Sequence, residues 1–261
     1  MLAMPMNNIS SRENPHIKGA VHLRASAAQR RALGKFFLEG FRLCADALAS
    51  GYTPEALYLT PAAREKYDTT QLEQHSAQVF EISESVAQKL GDTQTPQGIF
   101  AICSIKPPSL EGGGPKGRGV YIALENLQDP GNLGAVVRTA EALGLAGLLL
   151  TGGCDIHHPK ALRASMGALL RLPALHTEDL PAALRESGLP CYAAVPDRNA
   201  LSVLDCDFTG GGILVIGSEA SGLTPETLAA CGHRITVPMP GRAESLNAAA
   251  AATILMWEMV R

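Results

Sequence analysis

Three short segments of the 261-residue chain combine glycine with side chains that can hold an anion or orient a reacting group. The first, ENLQDPGN (125–132), leads into a run that carries Arg138 among Val136, Val137, Ala140 and Leu143. Asp129-Pro130-Gly131 makes a turn, and Asn132 is placed to cap the helix that follows. An arginine on so apolar a helix either reaches past the edge of the apolar face to solvent or must find an anion or other acceptors. In the second segment, GSEASGL (217–223), Gly217 permits close backbone approach and Glu219 sits in a loop, where a solvated carboxylate and a functional one read alike. The third, VPMPGRAESLN (237–247), breaks a strand at Pro238, turns at Pro240-Gly241, and opens a helix paved with alanine, against which another group can pack closely. Ser245 and Asn247 read there equally well as local helix caps.

Several other chemistries lack their residues. No GxGxxG follows a strand, and there is no GxxxxGK[ST], GxSxG or HExxH; Gly34-Lys35 continues into Phe36. The six cysteines (Cys44, Cys103, Cys154, Cys191, Cys206, Cys231) come no closer than fifteen positions, which excludes a zinc-ligand spacing and a redox CxxC and leaves reduced core thiols. His157 and His158 lie beside Cys154 and Asp155 without a spaced partner set, so they read as surface-loop histidines and no metal is expected.

The elements that must carry these loops form two patterns. Apolar spacing through Leu33, Phe36, Phe37, Phe41, Cys44 and Leu48 predicts one helix over 29–50, stopped at Gly51. Strands at 56–59, 79–82 and 98–105, with a helix at 83–90, complete a small α/β or α+β domain over 29–105. The Gly- and Pro-rich stretch 106–119 reads as a flexible linker. From 120 to 261 strands rich in Val, Ile and Leu alternate with helices, as in a parallel sheet covered on both faces, with ligands in loops beyond the strands' carboxyl ends. That stretch includes a helix over PKALRASMGALL (159–170) and a terminal helix from Glu244.

Composition bounds the setting. With 46% hydrophobic and 18% charged residues the chain is globular. No run approaches the roughly 18 apolar residues of a membrane span, and the N-terminus lacks a signal-peptide core, so a cytoplasmic protein is expected. The net charge of −3 argues against non-specific coating of nucleic acid. It hides a balance of +5 over residues 1–35, so that 1–28 reads either as a basic arm for a phosphate-bearing partner or as a frayed terminus.

Taken in order, N-x(5)-N-x-G-x(3)-R, G-x-E-x-x-G-L and P-M-x-G-x(3)-S-L-N resemble the three motifs of the SpoU (TrmH-like) branch of the SPOUT RNA methyltransferases. FLEGFRLCADAL and TPQGIFAI are similar to the L30e-like substrate-binding domain that precedes the catalytic domain in many members, and HPKALRASMGAL to the stretch after the second catalytic strand. Where many members continue SLNVS, this chain has SLNAAAA, and Asn247 remains.

The resemblance implies an α/β fold: a C-terminal SPOUT domain (120–261) with a parallel sheet and a deep trefoil knot, and a small N-terminal L30e-like α/β domain. It implies S-adenosylmethionine bent within the knot at a homodimer interface, contacted by Gly217, Val237, Met239 and Leu246, with Thr151 as a less direct neighbour. The implied reaction is methyl transfer to a ribose 2'-hydroxyl, favouring 23S ribosomal RNA because members acting on transfer RNA often lack the appended domain. Arg138 would anchor phosphate and stabilise the oxyanion, since a guanidinium is too weakly acidic to serve as a literal base. Asn132 would position Arg138 and the substrate, Glu219 would orient Arg138 or the hydroxyl, and Ser245 and Asn247 would hold the third loop near the ribose. Lys160 and Arg163 either contact RNA phosphate or decorate a helix surface. The competing readings are a transfer-RNA methyltransferase and a non-catalytic RNA-binding or ribosome-assembly factor.

Overall fold

The computed structural model describes residues 7–107, 110, 114–115 and 117–261. Of the expected linker at 106–119, residues 108–109, 111–113 and 116 lie outside the described residues. The chain divides into two compact units, one comprising the residues up to 106 together with 157–170, the other 107–156 with 171–261.

The first unit contains β1 (Asn7–Ile9), α1 (Pro15–Ala25), α2 (Ala27–Leu33), β2 (Lys35–Glu39), α3 (Phe41–Ala49), β3 (Pro54–Leu59), α4 (Pro61–Lys66), α5 (Thr70–His75), β4 (Val79–Ile82), α6 (Glu84–Leu90) and β5 (Ile99–Ser104). Its five-stranded sheet has the order β1-β4-β3-β5-β2, with β5 antiparallel to both its neighbours. Its core joins Phe37, Tyr58, Phe80 and Phe100 with Ile17 and Leu23 of α1.

The single helix expected over 29–50 is instead helix, strand, helix. Gly34, at φ 62, ends α2 in the left-handed region, and Gly40, at φ 98, turns the chain again before α3. Between them Phe36, Phe37 and Leu38 are wholly buried, as in a strand covered on both faces, and β2 pairs with β5 along its whole length. Nor is 7–28 an arm: Ile17, Ala20 and Leu23 anchor α1 in the core. Most of its charge is engaged in the fold. The Arg30 guanidinium, 1% exposed, donates to the carbonyls of Leu23 (2.9 Å) and Arg24 (2.7 Å) at the end of α1. Arg24 donates in turn to Leu90 (2.6 Å) and Gly91 at the end of α6, while Lys18 pairs with Glu13 and Lys35 with Glu55.

The second unit opens with β6 (Val120–Glu125), α7 (Pro130–Ala142) and β7 (Gly147–Thr151). The next helix, α8 (Pro159–Ala164), belongs to the first unit. It is shorter than expected because Met166 and Gly167 both take positive φ and break the run before a short 3-10 turn at Ala168–Leu170. The second unit resumes with β8 (Ala174–His176), α9 (Leu180–Ser187), β9 (Cys191–Ala194), β10 (Leu201–Ser202), β11 (Gly212–Ile216), α10 (Pro225–Ala230), β12 (His233–Thr236) and α11 (Ala248–Val260). All pairings in its seven-stranded sheet are parallel, in the order β10-β12-β9-β11-β6-β7-β8. Ile122, Leu148, Leu149, Ile213, Leu214 and Val215 are fully buried, which accounts for the near-continuous apolar runs read in the sequence. No helix among the described residues is long and apolar enough to cross a membrane. Among the described residues no cysteine is in a disulfide, and Cys44, Cys103 and Cys191 are buried.

Candidate active site

The first two motif loops leave the carboxyl ends of adjacent central strands. Register pairs Glu125 of β6 with Thr151 of β7 and Leu124 with Ile216 of β11, so Asn126 and Gly217 begin their loops side by side. The third motif follows β12, and its helix α11 returns to pack on α7 and β11. There the Thr253 and Thr139 hydroxyls lie 3.4 Å apart.

Helix α7 starts at Pro130, and its cap is Asp129 rather than Asn132: the Asp129 carboxylate accepts from the Asn132 backbone N–H at 2.8 Å. That leaves the Asn132 side chain free to bridge the other motifs. Its Nδ2 donates to Glu219 at 2.9 Å, and its Oδ1 accepts from Asn247 Nδ2 at 3.1 Å. Asn247 Oδ1 in turn caps α11 by accepting from the N–H groups of Ala249 (2.9 Å) and Ala250 (3.3 Å). Each amide's donor and acceptor ends are fixed by this chain, which runs from Glu219 through Asn132 and Asn247 into the helix terminus.

Burial raises the pKa of Glu219. The hydrogen bonds from Asn132 and from the backbone N–H groups of Glu219 itself, Gln128 and Asp129 outweigh it and hold the carboxyl below its ordinary value. A depressed carboxylate keeps its contribution above the ordinary pKa of 4.5 and loses it as pH falls through the lower folded value. The side-chain amide resonances of Asn132 should therefore follow a transition centred below 4.5; one centred above 4.5 would contradict this wiring.

The remaining expected residues are placed differently. Arg138 is exposed on α7 and, among the described residues, makes no hydrogen bond or ion pair; neither Asn132 nor Glu219 orients it. Ser245 is exposed and caps nothing, because α11 begins after Asn247. Thr151, Val237 and Met239 are half-buried, Leu246 is 37% exposed, and Gly217 is buried. Gly217 packs so closely on its own loop that a Cβ would lie 2.2 Å from the Gly222 carbonyl carbon. Among the described residues no backbone group of 237–246 bonds to another backbone group, so this stretch offers N–H and C=O groups beside apolar side chains. That donor set suits a purine edge and a neutral ribose, and it fits S-adenosylmethionine.

Sequence reasoning missed Glu125, the one charged residue of β6, whose buried carboxylate accepts three hydrogen bonds from Thr224 and Thr227. The available signal was a lone carboxylate ending an otherwise apolar strand. His158 caps α8 by accepting from the Lys160 N–H at 3.1 Å, and the His157 ring lies 4.8 Å from that of Phe36. Arg163 pairs with Asp92 at 2.5 Å and with buried Glu39 at 3.4 Å. Among the described residues no group of three or more His, Cys, Asp or Glu side chains is placed to hold a metal ion. A cavity of about 530 Å³ lies at the opposite, amino ends of β6 and β11, lined by Arg118, Val120, Phe208 and Gly211, and no motif residue lines it.

Comparison with known proteins agrees with this geometry. The model of the MRM3-like substrate binding domain matches residues 14–101, and that of the SpoU rRNA Methylase family matches residues 119–257. Across its whole length the chain is 33% identical to an uncharacterized tRNA/rRNA methyltransferase of Synechocystis, covering 96% of that protein. It is 30% identical to a 23S rRNA uridine 2'-O-methyltransferase of Streptomyces viridochromogenes, over 89% of this chain and 85% of the other. The crystal structure of an AdoMet-bound rRNA methyltransferase from Sinorhizobium meliloti superimposes with a TM-score of 0.86 at 28% identity, covering 97% of each chain. With the family model covering more than half of its residues and the three motif loops gathered at one end of the sheet, the chain belongs to the SpoU rRNA methylase family.

Proposed function

We propose that this methyltransferase transfers the methyl group of S-adenosylmethionine to a ribose 2'-hydroxyl of 23S ribosomal RNA. The observation that carries the reading is the hydrogen-bonded chain Glu219–Asn132–Asn247, which ties one residue from each motif into a single constellation. When bound, S-adenosylmethionine supplies a methyl on a sulfonium, which the ribose oxygen takes as the carbon–sulfur bond breaks, leaving a neutral thioether and a proton. Thr151, Gly217, Val237, Met239 and Leu246 would hold it through backbone groups and apolar contact.

Arg138, with no partner to release among the described residues, is available to grip an RNA phosphate and to stabilise the negative charge that grows on the attacking oxygen. Glu219, held ionised, serves as a fixed acceptor that orients Asn132 rather than as a proton carrier. The similarity of residues 14–101 to a substrate-binding domain supports a separate RNA-recognition role for the first unit.

The protein would act in the cytoplasm, where ribosomal RNA is found. A second copy would dock on α11, where Ile254, Trp257 and Val260 are exposed at helical spacing by 38, 56 and 36%. Light scattering that shows only monomer at micromolar concentration would overturn the homodimer. The parallel sheet also accommodates the trefoil knot expected of this branch.

The test uses purified protein, labelled S-adenosylmethionine, and separated ribosomal and transfer RNA from cells lacking the gene, with products digested to nucleosides. Label in a 2'-O-methylnucleoside from 23S RNA is the expected result. Label in transfer RNA, on a base, or in no fraction of RNA or ribosomal particles would overturn it, the last in favour of a non-catalytic RNA-binding factor.

A further inference from the structure

A carboxylate buried without a cation is costly, and a strand end such as residue 125 would hold leucine without that cost. Glu125 is 4% exposed, and among the described residues it has no ion-pair partner. Its charge is met by neutral donors from one segment: Thr224 N–H at 2.8 Å on one oxygen, and the hydroxyls of Thr224 (2.9 Å) and Thr227 (2.6 Å) on the other. Thr227 is fully buried, and Thr224 caps α10 by accepting from the Thr227 N–H at 3.3 Å.

These contacts span 99 and 102 positions and bind the end of β6 to the start of α10. Between β11 and α10 hangs the loop 217–224, which contains Gly217 and Glu219. The loop is thus held at two points by one continuous stretch: Glu125 grips its far end, while the Gln128 N–H (3.4 Å) and Asn132 side chain (2.9 Å) bond Glu219 near its middle. Ser218 and Gly222 close it internally through paired backbone bonds of 3.1 and 3.0 Å.

We propose that Glu125 is a positioning residue for methyl-donor binding, fixing the 217–224 loop against the β6–α7 turn through Thr224 and Thr227. The proposal rests on the reading of S-adenosylmethionine as the donor. What the site requires is hydrogen-bonding capacity rather than charge, because each threonine hydroxyl can turn round to accept from an amide while the Thr224 N–H still finds an oxygen.

The test measures the dissociation constant of S-adenosylmethionine by calorimetry on full-length protein, with thermal unfolding of the unliganded protein measured in parallel. Removing a buried partner group translates to an increase on the order of 10-fold for Glu125→Leu. Glu125→Gln is expected to stay within about 3-fold of wild type, and Thr227→Val to fall between the two. A donor affinity unchanged in Glu125→Leu, whatever its melting temperature, overturns the proposal and leaves a purely structural role. If Glu125→Leu does not fold, Thr227→Val decides: wild-type affinity there overturns the proposal equally. Failure of the wild type itself to bind S-adenosylmethionine would instead overturn the donor assignment, and the proposal with it.

Discussion

Arg138→Ala is expected to lose on the order of 10²–10³-fold in methyl transfer, the usual consequence of deleting a group that stabilises charge only in the transition state. The fold should not register the change. Arg138 is exposed and bonds to nothing among the described residues, so unfolding stability should stay within about 0.5 kcal/mol of wild type. Packing between α7 and α11 runs through neighbouring positions, including the Thr139–Thr253 contact, and is untouched. Donor affinity should also hold, because the residues assigned to the donor lie at the end of β7 and on the loops after β11 and β12 rather than on α7. The loss should therefore appear in kcat, or in the KM for RNA where the phosphate contact is made already in the ground state. Arg138→Lys keeps the charge without the planar fork and should recover only part of the rate. Near-normal turnover by Arg138→Ala, with fold and donor binding intact, would remove this residue from the chemistry.

Gly217→Ala should damage binding and stability together. The added methyl would lie 2.2 Å from the Gly222 carbonyl carbon and 2.4 Å from both the Gly222 oxygen and the Leu223 nitrogen. All three are backbone atoms, so no side chain can swing away, and the loop itself must open and strain the Ser218–Gly222 pair. Overpacking of this kind costs about 1–3 kcal/mol. For a chain of this size that is a fall of roughly 2–10 °C in Tm. S-adenosylmethionine should bind more than about 10-fold more weakly, since the displaced segment presents Gly217 to the donor. Unchanged donor affinity in a variant that melts earlier would show that the loop's conformation does not matter to the donor.

The parts of this architecture that were legible in the sequence are those in which local pattern and tertiary role coincide. Runs such as VYIALE, GLLLT and GILVI read as strands because both faces are covered, and the order of the three glycine-bearing loops pointed to one end of one sheet. The segment 29–50 misled because Leu33, Phe36, Phe37, Phe41, Cys44 and Leu48 happen to satisfy a helical period. The two glycines that interrupt it declare themselves only through backbone angles. Helix α1 was hidden for the opposite reason, since its buried residues are few and spaced among charges that turn out to close the ends of helices. Within the site, residue types could be read but not their connections. Asn132 reaches Glu219 across 87 positions and Asn247 across 115, and no local spacing encodes that it would bond to these rather than to Arg138.

The segment 157–170 gives the amino-terminal unit an unusual history during synthesis. Ala161, Leu162, Ala168, Leu169 and Leu170 are buried, α8 packs on β2, and Arg163 reaches the Glu39 carboxylate, yet the segment is made after two strands of the other sheet. A nascent chain that has emerged only as far as residue 106 lacks this cover, and the unit cannot close until residue 170 leaves the ribosome. Its folding is thereby tied to the beginning of its neighbour's, so that neither unit is finished as an independent product of translation.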